Sequence, residues 1–221
     1  MAVFKTVSLA DQVFEKLEND IISGVYPRDE ILTELKLVEQ LGVSRTPIRE
    51  ALRRLEQERL IQDSGKGSVV LGITMDDLID IMEIRQRIEG IAAAYATKRI
   101  TAEGLEELQR IHELQQFYYE KMDMERLREM DDQFHDTIYR WSGSSVLCDT
   151  LRPLHKKTQR YRRLSIGDKD RLAISVQQHN NILQAIVAKD AELAQQRITE
   201  HIETAKQYML GRFSHEGTDI N

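Results

Sequence analysis

A single cysteine, Cys148, leaves nothing for an intrachain disulfide, so covalent cross-links do not hold this fold together and a reducing compartment suits it. Prolines number 3 and glycines 11 in 221 residues, too few for a collagen-like or low-complexity chain. No apolar run approaches the roughly 18 residues of a membrane-spanning helix, and the N-terminus lacks a basic stretch followed by an apolar signal core. The chain is therefore expected to stay in the cytoplasm. What remains, 41% hydrophobic and 31% charged residues, is the composition of a soluble, helix-rich globular protein. The length suits two domains, each large enough to bury a core.

An excess of positive charge is also missing. The formal net charge is −6, which on its own argues against nucleic acid, since phosphate attraction is the main sequence-independent source of affinity. The distribution matters more than the sum. Between Gly42 and Lys66 stand six basic residues (Arg45, Arg49, Arg53, Arg54, Arg59, Lys66) against four acidic ones (Glu50, Glu56, Glu58, Asp63), a net basic stretch in an acidic chain.

The first seventy residues read as three helices and a hairpin. Ser8 is placed to cap a helix with Val13, Leu17, Ile21 and Ile22 on one face, ended by Gly24 and Pro27. Thr33 caps a second, Glu34 to Leu41, which Gly42 stops. A third helix begins in Val43-Ser44-Arg45-Thr46-Pro47, where Ser44 or Thr46 offers a capping oxygen and a first-turn proline costs no hydrogen bond. It runs to about Arg59, turns Ile48, Leu52 and Leu55 inward, and leaves Arg45, Thr46 and Arg49 exposed at its N-terminal end. That is what a recognition helix needs to reach base edges in a major groove. Residues 60–62 and 68–71 flank the tip Asp63-Ser64-Gly65-Lys66-Gly67, a β-hairpin whose small tip lets Lys66 approach a narrow groove. The competing interpretation is an arginine-rich solvated helix laced by charge pairs such as Arg54 with Glu58.

The segment "LGVSRTPIREALRRLEQERLI" followed by "GKGSVV" resembles the DNA-binding domain of GntR-family transcriptional regulators. The resemblance implies a winged helix-turn-helix in which Arg45, Thr46 and Arg49 contact double-stranded operator DNA, with Lys66 and Gly67 in the wing. Two positions depart from the family pattern: Arg28 stands where glycine usually follows the proline, and Leu35 where some members carry a DNA-contacting arginine.

From Thr74 onward the pattern is helical, with segments expected at Met75 to Lys98, Ala102 to Lys121, Asp123 to Gly143, Ser145 to Ile166, Arg171 to Lys189 and Asp190 to Gly211. The fold expected is mainly α: a winged domain over 1–72, an all-helical bundle of about six helices over 73–213, and a disordered tail over 214–221. Asp131 and His135, four apart, project from one helix face and can clip one ion. His179 lies on a stripe with Val176, Leu183 and Ile186, and His201 on one with Ala194, Ile198 and Ala205, so all four groups point inward. Unpartnered imidazoles and a carboxylate are costly to bury, and a divalent metal would satisfy them. Histidines hydrogen-bonded within a core answer the same pattern, and periodicity alone cannot bring three helices together. His112, His155 and His215 have no such context and are expected at the surface. Trp141 and the tyrosines around Tyr118 are expected in the core or an interface.

The stretches "EIRQRIEGIAAAYA", "DDQFHDTIYRWSGS", "QQHNNILQAIVAKDAELA" and "EHI" resemble successive helices of the FCD effector domain. That resemblance implies one divalent ion per chain, Zn, Ni or Mn, held by Asp131, His135, His179 and His201, and a small organic acid effector bound at it. Arg85, and an arginine among Arg152, Arg160 and Arg163, are candidates for holding a second carboxylate bidentately, with Arg85 preferred. The expected protein is a homodimeric, ligand-responsive repressor on a palindromic operator, and not an enzyme. Two alternatives share the same residues: a metalloregulator in which the ion is the signal, and a metal-dependent enzyme with Asp132 as its nearest candidate base.

Overall fold

The computed structural model describes residues 7–165 and 169–216 and divides the chain into two compact units at Met75/Asp76. In the first unit, α1 (Leu9–Ser23) opens with a reciprocal capping box between Ser8 and Asp11 and closes on Gly24 in the left-handed conformation. Thr33 caps α2 (Glu34–Leu41), and Gly42 ends it, also left-handed. The third helix, α3 (Arg45–Gln57), has Ser44 at the capping position, but the hydroxyl expected to cap it makes no such bond. It ends two residues short of Arg59, which takes a left-handed φ of 56° to turn the chain into the sheet. Leu17, Ile21, Leu37, Ile48 and Leu55 fill the core between these helices.

The hairpin is present as β2 (Ile61–Asp63) and β3 (Ser68–Val70), and it gains a partner the sequence did not announce. A two-residue strand, β1 (Ile31–Leu32), pairs antiparallel with β3, giving the order β1-β3-β2 with Ile31 and Gln62 both opposite Val69. Two residues are too few to display alternation. Burial of Leu32 nonetheless ties the segment to the core.

The second unit is all helix: α4 (Met75–Arg99), α5 (Ala102–Lys121), α6 (Met124–Trp141), α7 (Ser145–Lys157), α8 (Gln159–Ser165), α9 (Lys169–Val187) and α10 (Ala191–Glu216). Thr101, Asp123 and Ser144 cap α5, α6 and α7 with their side chains. The single helix expected over 145–166 is instead two, because the Thr158 hydroxyl donates to the carbonyl of His155 and closes α7. Where a disordered tail is expected from 214, α10 continues to Glu216; the break at Gly167-Asp168 and residues 217–221 lie outside the described residues. Ala93, Ala96, Phe134, Ile138, Ile182 and Ile198 form the main core. At one end of it Trp141 packs so closely on Gly104 that a Cβ there would sit 2.2 Å from the indole. No helix among the described residues is long and apolar enough to cross a membrane.

Candidate nucleic-acid interface and buried histidine site

Helix α3 buries Pro47, Ile48, Ala51, Leu52 and Leu55 and leaves Arg45, Thr46 and Arg49 exposed at its start, as the spacing requires. Arg49 is not idle there: its Nε donates to Glu34 Oε1 at 2.8 Å, joining the first turns of α2 and α3. This bond holds the Glu34 carboxyl below its ordinary range. Arg54 pairs with Asp11 at 2.6 Å and lies over the Phe14 ring, so it braces α1 rather than lacing its own helix. Lys66 is exposed at the wing tip, where Gly65 N–H donates to Asp63 Oδ1 and Ser64 to the Gly67 carbonyl. Gly67, with φ of 141°, is required by the fold itself: a Cβ would lie 2.8 Å from the Leu32 carbonyl oxygen of β1. Leu35 is exposed on α2. Arg28 donates to the Leu71 carbonyl, and the left-handed turn residue is its neighbour Asp29.

In the helical unit α6, α9 and α10 bring His135, His179 and His201 together, all buried, with one ring nitrogen from each lying within 4.8 Å of the others. Each ring is oriented by an acceptor behind it. His135 Nδ1 donates to the Glu89 carboxylate at 2.9 Å, and His179 Nδ1 to Gln115 Oε1 at 3.1 Å. His201 Nδ1 lies 3.1 Å from Gln178 Oε1. That amide's orientation follows from a chain of donors: Thr204 Oγ1 gives its proton to the Glu200 carbonyl, so it accepts from Gln178 Nε2, which leaves the oxygen for His201. With Nδ1 turned to its acceptor in the neutral rings of His179 and His201, their Nε2 atoms carry lone pairs and face each other at 3.2 Å.

Asp131 stands at the edge of this cluster, Oδ1 3.7 Å from His179 Nε2, and is held by Arg162, which bridges Asp131 and Asp132. Burial works against ionisation of both carboxyls, but the Arg162 guanidinium outweighs it and holds them below the ordinary range. Behind the histidines runs a second charged layer. Arg85 is buried, with Nε on Glu89 at 2.6 Å, Nη1 on Thr158 Oγ1 at 3.2 Å and Nη2 on His155 Nδ1 at 2.9 Å. His155 Nε2 meets Asp132 Oδ1 at 2.9 Å. Burial, then Arg162 and Arg85, push the His155 pKa down to about 3, and burial does the same to His179. His201 is pushed well below its ordinary value for the same first reason.

Several expectations are corrected here. His155 and His112 are interior residues, the first in this network and the second against Phe134 with Nδ1 3.3 Å from Gln115 Oε1. Arg152 pairs with Asp136 on the exterior, while the side chains of Arg163 and His215 lie outside the described residues. Arg162, Glu89, Gln115 and Gln178 were not singled out from sequence. Glu89 could have been, since Leu78, Met82, Arg85, Glu89, Ala92 and Ala96 form one buried stripe of α4 in steps of four and three. The His cluster, Asp131, Arg85 and Arg162 floor a cavity of about 80 Å³ that opens to solvent.

The chain is similar to known proteins along most of its length. Residues 9–70 match the sequence profile of the bacterial regulatory proteins, gntR family, and residues 80–204 that of the FCD domain. The transcriptional repressor RspR of Escherichia coli strain K12 is 27% identical over 199 residues, 90% of this chain and 87% of its own. The regulator McbR of the same strain is 34% identical over 151 residues, 68% of each chain. The gluconate operon repressor of Bacillus licheniformis is 31% identical over 142 residues, 63% of this chain and 58% of its own. Among solved structures, E. coli McbR/YncC superposes with a TM-score of 0.80 at 27% identity, covering 94% of this chain and 100% of that one. A putative GntR regulator from Rhodococcus sp. RHA1 shares the fold, with a TM-score of 0.72 at 22% identity over 91% of this chain and 97% of its own. These matches span both units, and the chain belongs to the GntR family of DNA-binding transcriptional regulators, with an FCD domain following its winged helix-turn-helix.

Proposed function

We propose that this regulator is a homodimeric repressor whose affinity for a palindromic operator is set by a small organic acid bound at a metal ion in the FCD domain. The observation that carries the metal is the convergence of three buried histidines, one ring nitrogen of each within 4.8 Å of the others. Two bare imidazole nitrogens 3.2 Å apart repel unless a cation lies between them. A proton is a poor candidate at neutral pH, because burial holds His179 near 3 and His201 well below its ordinary value. A divalent ion answers the same geometry, and acceptors behind metal-bound imidazoles are its usual support. His135, His179 and His201 would hold it, with Asp131 as fourth ligand once it turns from Arg162. Zn²⁺, Ni²⁺ and Mn²⁺ all suit three nitrogens and one carboxylate. When bound, the ion supplies an electrophilic centre for an anionic ligand.

Charge supports the acid. Arg85 and Arg162 oppose Glu89, Asp131 and Asp132, and Arg171, whose charge bears on His179 and His201, offsets the third carboxylate. A divalent ion would leave the site positive, which an anionic ligand such as a carboxylate neutralises. Arg85 and Arg162 supply positive potential where that carboxylate would lie. A cavity of about 80 Å³ takes several water-sized groups beside an ion, which favours an organic signal over the ion alone. Asp132, held ionised by Arg162 and His155, is a weak base and lends nothing to a hydrolytic reading.

On the DNA side, Arg45, Thr46 and Arg49 would read base edges, with Lys66 and the backbone at Gly67 against the flanking groove. The names of RspR and the gluconate operon repressors support repression. The homodimer follows from the short reach of one winged module, and Ile84, Ile91 and Tyr95 form an exposed apolar stripe on α4 that a second copy would cover. Elemental analysis of protein purified without a histidine tag tests the metal: one divalent ion per chain and a Tm lowered by chelator are expected. Metal-free protein that takes up no ion and melts identically with chelator would reject it.

A further inference from the structure

The pocket over the histidines carries apolar side chains on three helices, and Arg128 and Arg171 belong to its lining as well as the histidines, Asp131, Arg85 and Arg162. Three helices line it, each contributing residues from the histidine outward. From His135, α6 leads to Leu127 and Met124; from His179, α9 leads to Val176 and Leu172; from His201, α10 leads to Ile202 and Met209. The separation of His179 from Leu172, or His201 from Met209, corresponds to about 10 to 12 Å along a helix axis. Over that length neutral hydrogen-bonding side chains are few. Gln115 already accepts from His112 and His179, and the others on the lining are Ser175 and Tyr208. Arg128 and Arg171, both half-buried, stand with Met124 and Leu172 at the outer end.

From this lining we infer that the effector is an amphipathic monocarboxylic acid, with its carboxylate at the histidines and an aliphatic or aryl body along the α6, α9 and α10 walls. The inference rests on the proposed reading of the site as an acid receptor and narrows its ligand class. A polyhydroxylated acid of similar length would lose its water to walls that return almost no hydrogen bonds, a penalty that rejects it strongly. An alkyl chain gains from the same walls, each methylene removed from water strengthening binding about fourfold. The wall is also a specificity element. Val176 is half-buried on it, so Val176→Thr adds a hydroxyl facing the chain without changing the side chain's shape or removing any histidine partner.

The test is calorimetric titration of full-length, Zn²⁺-loaded protein with butyrate, hexanoate and octanoate, and with gluconate and citrate. Affinity should rise about fourfold per methylene along the alkanoates, while gluconate and citrate bind weakly or not at all. Val176→Thr should weaken octanoate several-fold and leave zinc content unchanged. Binding of gluconate or citrate in preference to the alkanoates would overturn the ligand class while leaving an acid receptor standing, and so would an alkanoate series with no dependence on length. An octanoate affinity untouched by Val176→Thr would remove the chain from this wall. Octanoate binding equally to metal-free protein would keep the apolar channel and overturn the reading of the ion beneath it. If none of these acids binds the zinc-loaded protein, both fall together.

Discussion

Gln178 shows how much of this site depends on groups that touch no ligand. Its amide fixes which nitrogen of His201 is bare, and it does so from a half-buried position where replacement leaves no charge stranded. Gln178→Leu is expected to weaken metal binding 10- to 100-fold by the usual scale for such supporting groups, measured by competition with a chromophoric chelator, with operator binding of the N-terminal unit retained. The histidines also set a pH dependence. His155 and His179 titrate near 3 when folded, against about 6.5 in an unfolded chain. Between those values the unfolded chain takes up protons that the folded one refuses, so the stability from neutral imidazoles is complete above about pH 6.5 and is lost as pH falls toward 3. Melts of chelator-treated protein should therefore show Tm falling between about pH 7 and about pH 5; a flat or rising Tm would contradict the buried, neutral assignment. On the DNA side, Arg49→Ala should cost about 1 to 3 kcal/mol per half-site in operator affinity without lowering Tm, since the side chain is exposed and its partner Glu34 can return to water. From sequence, Asp131, His135, His179 and His201 stood out through spacing and the family resemblance. His155 did not, because its stripe of Leu151, His155 and Thr158 is too short to mark a buried face.

Among the elements, helices were the more legible, because capping side chains and apolar periodicity act within a few residues of each other. Ser8, Thr33, Thr101, Asp123 and Ser144 each cap where a local reading places them. Two elements escaped for the same physical reason, that a distant residue decides them. The break between α7 and α8 has no glycine or proline at it; Thr158 closes α7 while accepting from Arg85, seventy-three positions earlier. Strand β1 exists because β3 offers it a partner and the core accepts Leu32. Its contact with the wing gives Gly67 a structural role beside the DNA-facing one proposed for it. Gly67→Ala should destabilise the N-terminal unit by about 1 to 3 kcal/mol through backbone strain and the clash with Leu32, read as a lowered Tm of that unit expressed alone or within the chain. An unchanged Tm together with lost operator affinity would reassign this glycine to DNA contact alone.

For the whole molecule the question is how occupancy of one unit reaches the other. A ligand shifts operator affinity only by binding the DNA-competent and DNA-incompetent states unequally, and the same factor must appear in both directions. Palindromic recognition further requires two copies, so sedimentation at micromolar concentration should give a dimer, and replacing Ile91 with Glu on the exposed face of α4 should shift it toward monomer if that stripe is the interface. None of the proposed ligand-binding residues lies in residues 9–70, so the two activities are separable by mutation. The most direct measurement is therefore a fluorescence anisotropy titration of operator DNA with zinc-loaded wild-type protein and with His179→Ala, each with and without octanoate. The account predicts that octanoate changes operator affinity of the wild type by 5-fold or more, within the usual range of allosteric coupling of about 5- to 150-fold, and leaves the variant's operator affinity unchanged. An equal response in both proteins, or a variant that fails to bind operator although folded and dimeric, would contradict it.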